Sequence, residues 1–485
     1  RFAITTFDPS RYDRSKAAVL IRPGKDALGK RVGVDPRTGT IYPVPYIGLF
    51  VPGSGSYAPG MVVGGKDFVG SLYETPAVSF GPRFGFAFDP WGNGKTSIRG
   101  GAGVFYDRPQ GNVYSGTNGQ PPVAYTPTLY YSSLDTFLQV QGAVGPSGVN
   151  APQVGKQGLP RVVNFSLGVQ REIGFNTVVD VSYVGTVGRH LLYQRDLNPI
   201  PMYSHFDPAN NDFTTNRPLP DNFLRPYLGL GGINVRSFGG TSSYNSLQVT
   251  ANRRMARGIQ FGVSYSFSKS MGITSGDFDN VSPYFAPRSR NYGLLDFDRA
   301  HMLVINYTYQ LPSLGKRWNS KPLDVVLGGW QISGITSFVS GAGITPGFST
   351  TDGADITGSA EGARINIIKD PYLPKSERTF ARNFRTDAFA RPASRDFGNC
   401  GIRPLRGPGI NNWDVSLSKR VPLYGERRYV QFRAEFFNAF NHTQFSSMDT
   451  TARFDPAGSQ VNTNFGAFNG ARDPRRIQLS FRLMF

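Results

Sequence analysis

A chain of 485 residues could hold three soluble domains, yet no linker or break in composition divides it, and 58 Gly, 36 Pro and 13% aromatics favour one large all-β unit. Helical periodicity is scarce enough that no helix is expected. The lone Cys400 excludes disulfides within the chain, and His190, His205, His301 and His442 show no metal-ligand spacing, so neither metal nor other cofactor is expected. The net charge of +19, with Arg outnumbering Lys 40 to 12, would suit a nucleic-acid binder if the cations clustered, but they are scattered and no nucleic-acid partner is expected. Short basic groups (Arg253, Arg254 and Arg257; Arg475 and Arg476) stand at the ends of apolar-alternating strands, where the guanidinium fork suits lipid phosphates.

Phe2 and Ile4 read as a strand already under way over 1–6, and no hydrophobic leader precedes it, so a fragment or processed piece is expected. An irregular loop follows to about 79. Phe84, Phe86 and Phe88 then alternate with Arg83, Gly85 and Ala87. A tight turn at 89–94 leads back through Ile98, Gly100, Ala102, Val104 and Tyr106, which is a hairpin. The pattern of long loop and hairpin repeats. Val163 to Val169 pairs with Val179, Val181 and Tyr183, and Leu247 to Ala251 with Ile259 to Phe267. Leu303 to Leu311 leads through a modest turn at 312–323 to an uncharged strand at 325–339. After a loop holding a short strand at 365–368, Trp413, Val415 and Leu417 turn near Tyr424 and Gly425 into Val430, Phe432, Ala434 and Phe436. A last loop at 438–474 delivers the closing strand.

Short turns therefore alternate strictly with long loops. Loops longer than ~12–15 residues are uncommon in compact soluble domains, whereas transmembrane barrels pair short periplasmic turns with long extracellular loops. In the closing strand Ile477, Leu479, Phe481, Leu483 and Phe485 share one parity and are expected to face lipid. Arg476, Gln478, Ser480 and Arg482 take the other and face the lumen. Interior positions on the apolar parity carry no charge, while Asp180, Asp414, Arg433, Glu435 and Arg482 all fall on the opposite, lumen-facing one. Trp91, Tyr106, Trp318 and Trp413 near strand ends would form interfacial girdles. The reading is an antiparallel transmembrane β-barrel segment of about twelve strands.

Several motifs together resemble one family: 407–417 (GPGINNWDVSL), 433–442 (RAEFFNAFNH), Phe84 to Phe88 with Asp89-Pro90, Gly94-Lys95-Thr96 and Ile98 to Gly101, Asp296 to His301, Gly328 to Gln331, and the terminal Phe485. In order and spacing they resemble the C-terminal barrel portion of TonB-dependent outer-membrane receptors of the Oar-like group, over nearly the whole chain. The resemblance implies the second half of a barrel of about 22 strands, with plug, TonB box and signal peptide absent from 1–485. It also implies a location in the outer membrane of a Gram-negative bacterium. The implied partners are the bilayer and lipopolysaccharide, the TonB complex through the absent N-terminal parts, the barrel-assembly machinery and an unknown extracellular ligand. The implied function is ligand uptake energised by TonB; a passive porin or a surface adhesin are the alternatives. The sheet is then expected to be open, with 475–485 at an edge, or strained onto 1–6.

No enzyme is expected. Glu435 and His442 are separated by the strand's end and read instead as a lumen carboxylate, paired with an arginine of a neighbouring strand or the plug, and a loop residue. Asn438 and Asn441 are expected to cap the turn out of the strand. The polar segment Asp352 to Glu361 lacks the spacing of a calcium loop and reads as solvated.

Overall fold

The computed structural model describes residues 4–485 apart from 68–72, 75, 77, 131–132, 140–141, 154, 157, 314, 316–319 and 425–427. Trp318 and Gly425 lie outside the described residues. Eleven strands form an uninterrupted antiparallel meander in which each neighbours the next in sequence. They are β1 Arg83–Phe88, β2 Thr96–Tyr106, β3 Arg161–Gly174, β4 Thr177–Asp196, β5 Ile233–Ala256, β6 Ile259–Gly272, β7 His301–Gln310, β8 Trp330–Val339, β9 Ile410–Tyr424, β10 Arg428–Phe437 and β11 Arg476–Met484. Two short segments, Val149–Pro152 and Gly293–Leu294, join β5 and β6 beside this path.

Register is what ties sequence to architecture. Residues directly opposite in an antiparallel pair point to the same face, so each pairing tests whether the apolar parities of two strands meet. They meet in all ten. Phe481 stands opposite Phe432, Ala434 opposite Leu417, Leu417 opposite Ile332, Ile305 opposite Val263, Tyr265 opposite Val249, Val181 opposite Val169 and Ile98 opposite Phe88. The result is one continuous apolar face and one continuous polar face. Away from the short-turn rim the apolar face has no described residue packed over it: Leu247 is 42% exposed, Leu479 65% and Phe481 72%. Its glycines sit under rings, as at Gly185, where a Cβ would come within 2.2 Å of the Phe165 ring.

Five short connections lie at one rim and five long ones at the other. Among the described residues β1 and β11 each pair on one side only, so the sheet is open. The expected strand at 1–6 does not close it, because Thr5–Phe7 pairs with Met61–Val63 in a separate two-stranded sheet. The long connections are also more than loop. Small sheets such as Arg22–Lys25 with Arg31–Val34, and Gly347–Thr350 with Thr451–Phe454, knit them together. The short strand expected at 365–368 is present as Asn366–Ile367. One buried cluster holds Phe7, Val149, Ala151, Leu230 and Ile233, and another holds Ile365, Phe384, Phe389, Phe454 and Phe465. We call this assembly the outer body. It is carried on the outer ends of β4 and β5, which run on past a bulge at His190 (φ 55) to pair 191–196 with 234–240.

Two expectations near the short-turn rim need correction. The strand expected at 325–339 begins only at Trp330, and 321–327 form a helix, α1 (Lys321–Leu327), where none was expected. Its signals are local: the Ser320 side chain accepts from the Leu323 N–H, Pro322 and Asp324 occupy the first turn, and Gly328 ends it. Gly329 at φ 70 then turns the chain into β8.

Candidate functional site

The polar face of the sheet holds a groove of about 450 Å³ lined by Gln260, Asn306, Ser333, Asp414, Ser416 and Glu435, drawn from five successive strands. A second hollow, about 800 Å³, adjoins it beneath the outer body and is lined by Asn412, Asp414, Asn438, Gln444, Arg472 and Gln478. Asp414 belongs to both. It accepts a 2.9 Å hydrogen bond from the Asn438 N–H, which fixes the end of β10 against β9.

Of the residues expected on the polar face, the structure brings Asp414, Arg433 and Glu435 together. Glu435 meets Arg433 of its own strand at 3.7 Å rather than an arginine of a neighbouring strand. Arg482 stands opposite Gln431 on the same face. Asp180 is remote from this group and takes the Arg99 guanidinium from β2 across β3 at 3.0 Å, a partner whose odd parity, opposite to that of Ile98 and Gly100, placed it on this side. Asn438 and Asn441 do close the turn out of β10, both with φ near 50. The Asn438 side chain donates to the His442 carbonyl and accepts from the His442 N–H, each at 3.0 Å. His442 itself stacks on Phe440 in the outer body.

Charge is not wholly absent from the apolar face. Arg171, Arg253 and Lys419 take its parity, opposite Val179, Phe261 and Trp330, all near the short-turn rim. Aromatic rings accompany two of them: Arg171 lies over Trp91 at 5.2 Å and Lys419 over Trp330 at 4.9 Å. The sequence reading missed Lys419 because it ended that strand too early; the same alternation, carried two residues past Leu417, reaches it.

The segment 352–361 is not simply solvated. Asp352 pairs with Arg391 of the same connection at 3.2 Å, while Asp355 with His205 at 2.7 Å and Glu361 with Arg290 at 2.9 Å join it to two other long connections. His205 is held from its other side by Asp221 at 3.0 Å. Burial alone disfavours its charged form, but the hydrogen bonds and charges of Asp355 and Asp221 outweigh this and raise its pKa above the ordinary 6.5.

A family model described as an outer membrane beta barrel domain matches residues 4–478. The chain belongs to that family. The barrel domain thus resides in the outer membrane of a Gram-negative bacterium, its short turns on the periplasmic rim and its long connections outside. No curated protein matches it. Among solved structures it is similar to the outer membrane transporter YddB from Escherichia coli, with 11% identity over 84% of this chain and 40% of that one, at a TM-score of 0.43. It is also similar to the ferric-catecholate import receptor Fiu from E. coli K12 (9% identity, 100% of this chain and 40% of that one, TM-score 0.37). A third is the FrpB iron transporter from Neisseria meningitidis (11%, 83% and 38%, TM-score 0.36). The barrel domain spans about 40% of the length of these chains.

Proposed function

We propose that the barrel domain is the C-terminal part of a TonB-dependent receptor of the Oar-like group, which takes up an extracellular ligand with energy delivered by TonB to the full-length protein. The observation that carries this reading is the open sheet with two unlike faces. In lipid every backbone group needs a partner, and among the described residues both β1 and β11 have a free edge. Further strands would complete the wall, and a wall of about 22 strands encloses a lumen wide enough for a plug.

In this reading the face carrying Ile477, Leu479, Phe481, Leu483 and Phe485 meets lipid. Asp180, Asp414, Arg433, Glu435 and Arg482 line the lumen, where a charge costs little. TonB acts through parts outside 1–485, and the barrel-assembly machinery reads the terminal aromatic strand. A second reading, a surface adhesin, draws support from the outer body, whose own buried clusters make it a firm binding surface.

The test is accumulation of a panel of radiolabelled solutes by cells expressing the full-length protein, with and without TonB. Uptake that vanishes without TonB supports the receptor. Uptake indifferent to TonB identifies a porin, and surface binding without uptake an adhesin.

A further inference from the structure

The periplasmic connection between β7 and β8 contains α1, and two side chains of the apolar face reach its last turn. The Lys419 Nζ donates to the carbonyl oxygens of Val326 (2.7 Å) and Gly328 (2.8 Å), while the Trp330 Nε1 donates to the same Val326 oxygen at 3.0 Å. Lys419 and Trp330 are cross-strand partners on that face. The end of α1 is therefore folded against the outside of the wall, away from the polar groove. Its apolar side chains remain uncovered there: Leu323 is 40% exposed, Val325 56% and Val326 61%. At the same rim the ends of β3 and β9 present Ile173 and Leu423, each more than half exposed, on the continuation of the apolar parity.

We propose that α1 is a membrane-surface anchor whose Leu323, Val325 and Val326 dip into the headgroup and acyl boundary of the periplasmic leaflet, pinned by Lys419. This rests on the reading of the apolar face as lipid-facing. The occupant follows from continuity: the exposed residues of α1 extend a surface that meets lipid, at the depth where an indole and a capped ammonium are stable. The chemistry of Lys419 agrees. An ammonium on a lipid-facing strand needs its N–H groups satisfied, and the carbonyl end of a helix, with its partial negative charge, supplies acceptors without adding a carboxylate to the apolar surface. Asp324, the acid of α1, is drawn to the Ser313 hydroxyl.

Nitroxide labels at Val325→Cys, Leu247→Cys and Ile368→Cys test this in the full-length protein carrying Cys400→Ala, in vesicles of phosphatidylethanolamine and phosphatidylglycerol. Collision rates are read with oxygen, which partitions into lipid, and with a nickel chelate, which stays in water. The expected oxygen-to-nickel ratio at 325 lies several-fold above that at 368, in the outer body, and below that at 247, at mid-strand. A ratio at 325 equal to that at 368, with 247 still high, overturns the anchor and leaves the lipid-facing wall intact; low values at both 325 and 247 overturn both. Lys419→Gln is expected to sharpen the spectrum at 325 as α1 comes loose and to leave that at 247 unchanged. An unchanged spectrum at 325 would contradict the pinning role.

Discussion

The strand wall and the outer body are built from the same chain by opposite uses of apolar side chains. In the wall, Leu247, Leu479 and Phe481 stand uncovered on one face, and the strands are held to each other by their ladders rather than by a core. In the outer body, Phe454, Ile365 and Phe465 are at most 2% exposed and pack against residues far away in sequence, Phe384 meeting Phe465 edge to face at 5.0 Å. The difference follows from the surroundings: lipid is as apolar as leucine and satisfies a bare face, whereas water drives the same residues inward. Buried aromatics alone would therefore misread the wall as poorly packed.

The largest expected contrast comes from emptying the outer body. Phe454→Ala, at a site 1% exposed, should cost about 3–5 kcal/mol locally. Hydrogen exchange should accelerate at 365–389 and 451–467, while the sheet stays protected. Loss of protection throughout the sheet would show that the two regions fold as one unit.

Charging the wall is the converse. Val249→Arg on the apolar face should destabilise the full-length protein in vesicles by roughly 2–4 kcal/mol, and Thr250→Arg on the polar face by far less. Urea titration of both variants checks this, and equal costs would erase the distinction between the faces.

A smaller effect belongs to the outer body alone. Because the folded pKa of His205 lies above its ordinary 6.5, its clasp between Asp221 and Asp355 is fully present below about pH 6.5 and is lost as pH rises through the folded value. Arg225 also lies 3.9 Å from Asp221. Protection at 352–361, taken relative to the intrinsic exchange rate at each pH, should therefore fall between pH 6 and pH 9, and His205→Asn should abolish that fall. The smallest effect is at Cys400, buried in the Ile365 cluster, where burial pushes the thiol up to about 11. It should stay unreactive toward thiol reagents at pH 8 until the outer body unfolds.

The wall was legible in the sequence because alternation is a local signal. Phe84-x-Phe86-x-Phe88 declares its faces without knowledge of any partner, and the register merely joins parities already visible. The residues of the polar face were legible for the same reason, though not their pairing: nothing local says that Asp180 takes Arg99 or that Glu435 keeps to Arg433. The outer body was not legible, since Phe7 meeting Leu230 or Phe384 meeting Phe465 has no period. Helix α1 fell between these cases. Ser320, Pro322, Asp324 and Gly328 mark its ends, but the uncharged run that follows drew its last residues into the strand.

The central claim is that the two parities of one strand meet two solvents. Single cysteines at each position from 247 to 252 in β5, in a Cys400→Ala background, can be exposed to a water-soluble maleimide in isolated outer membranes. Labelling at Gln248, Thr250 and Asn252 with protection at Leu247, Val249 and Ala251 is the expected result; labelling of all six at similar rates would contradict it.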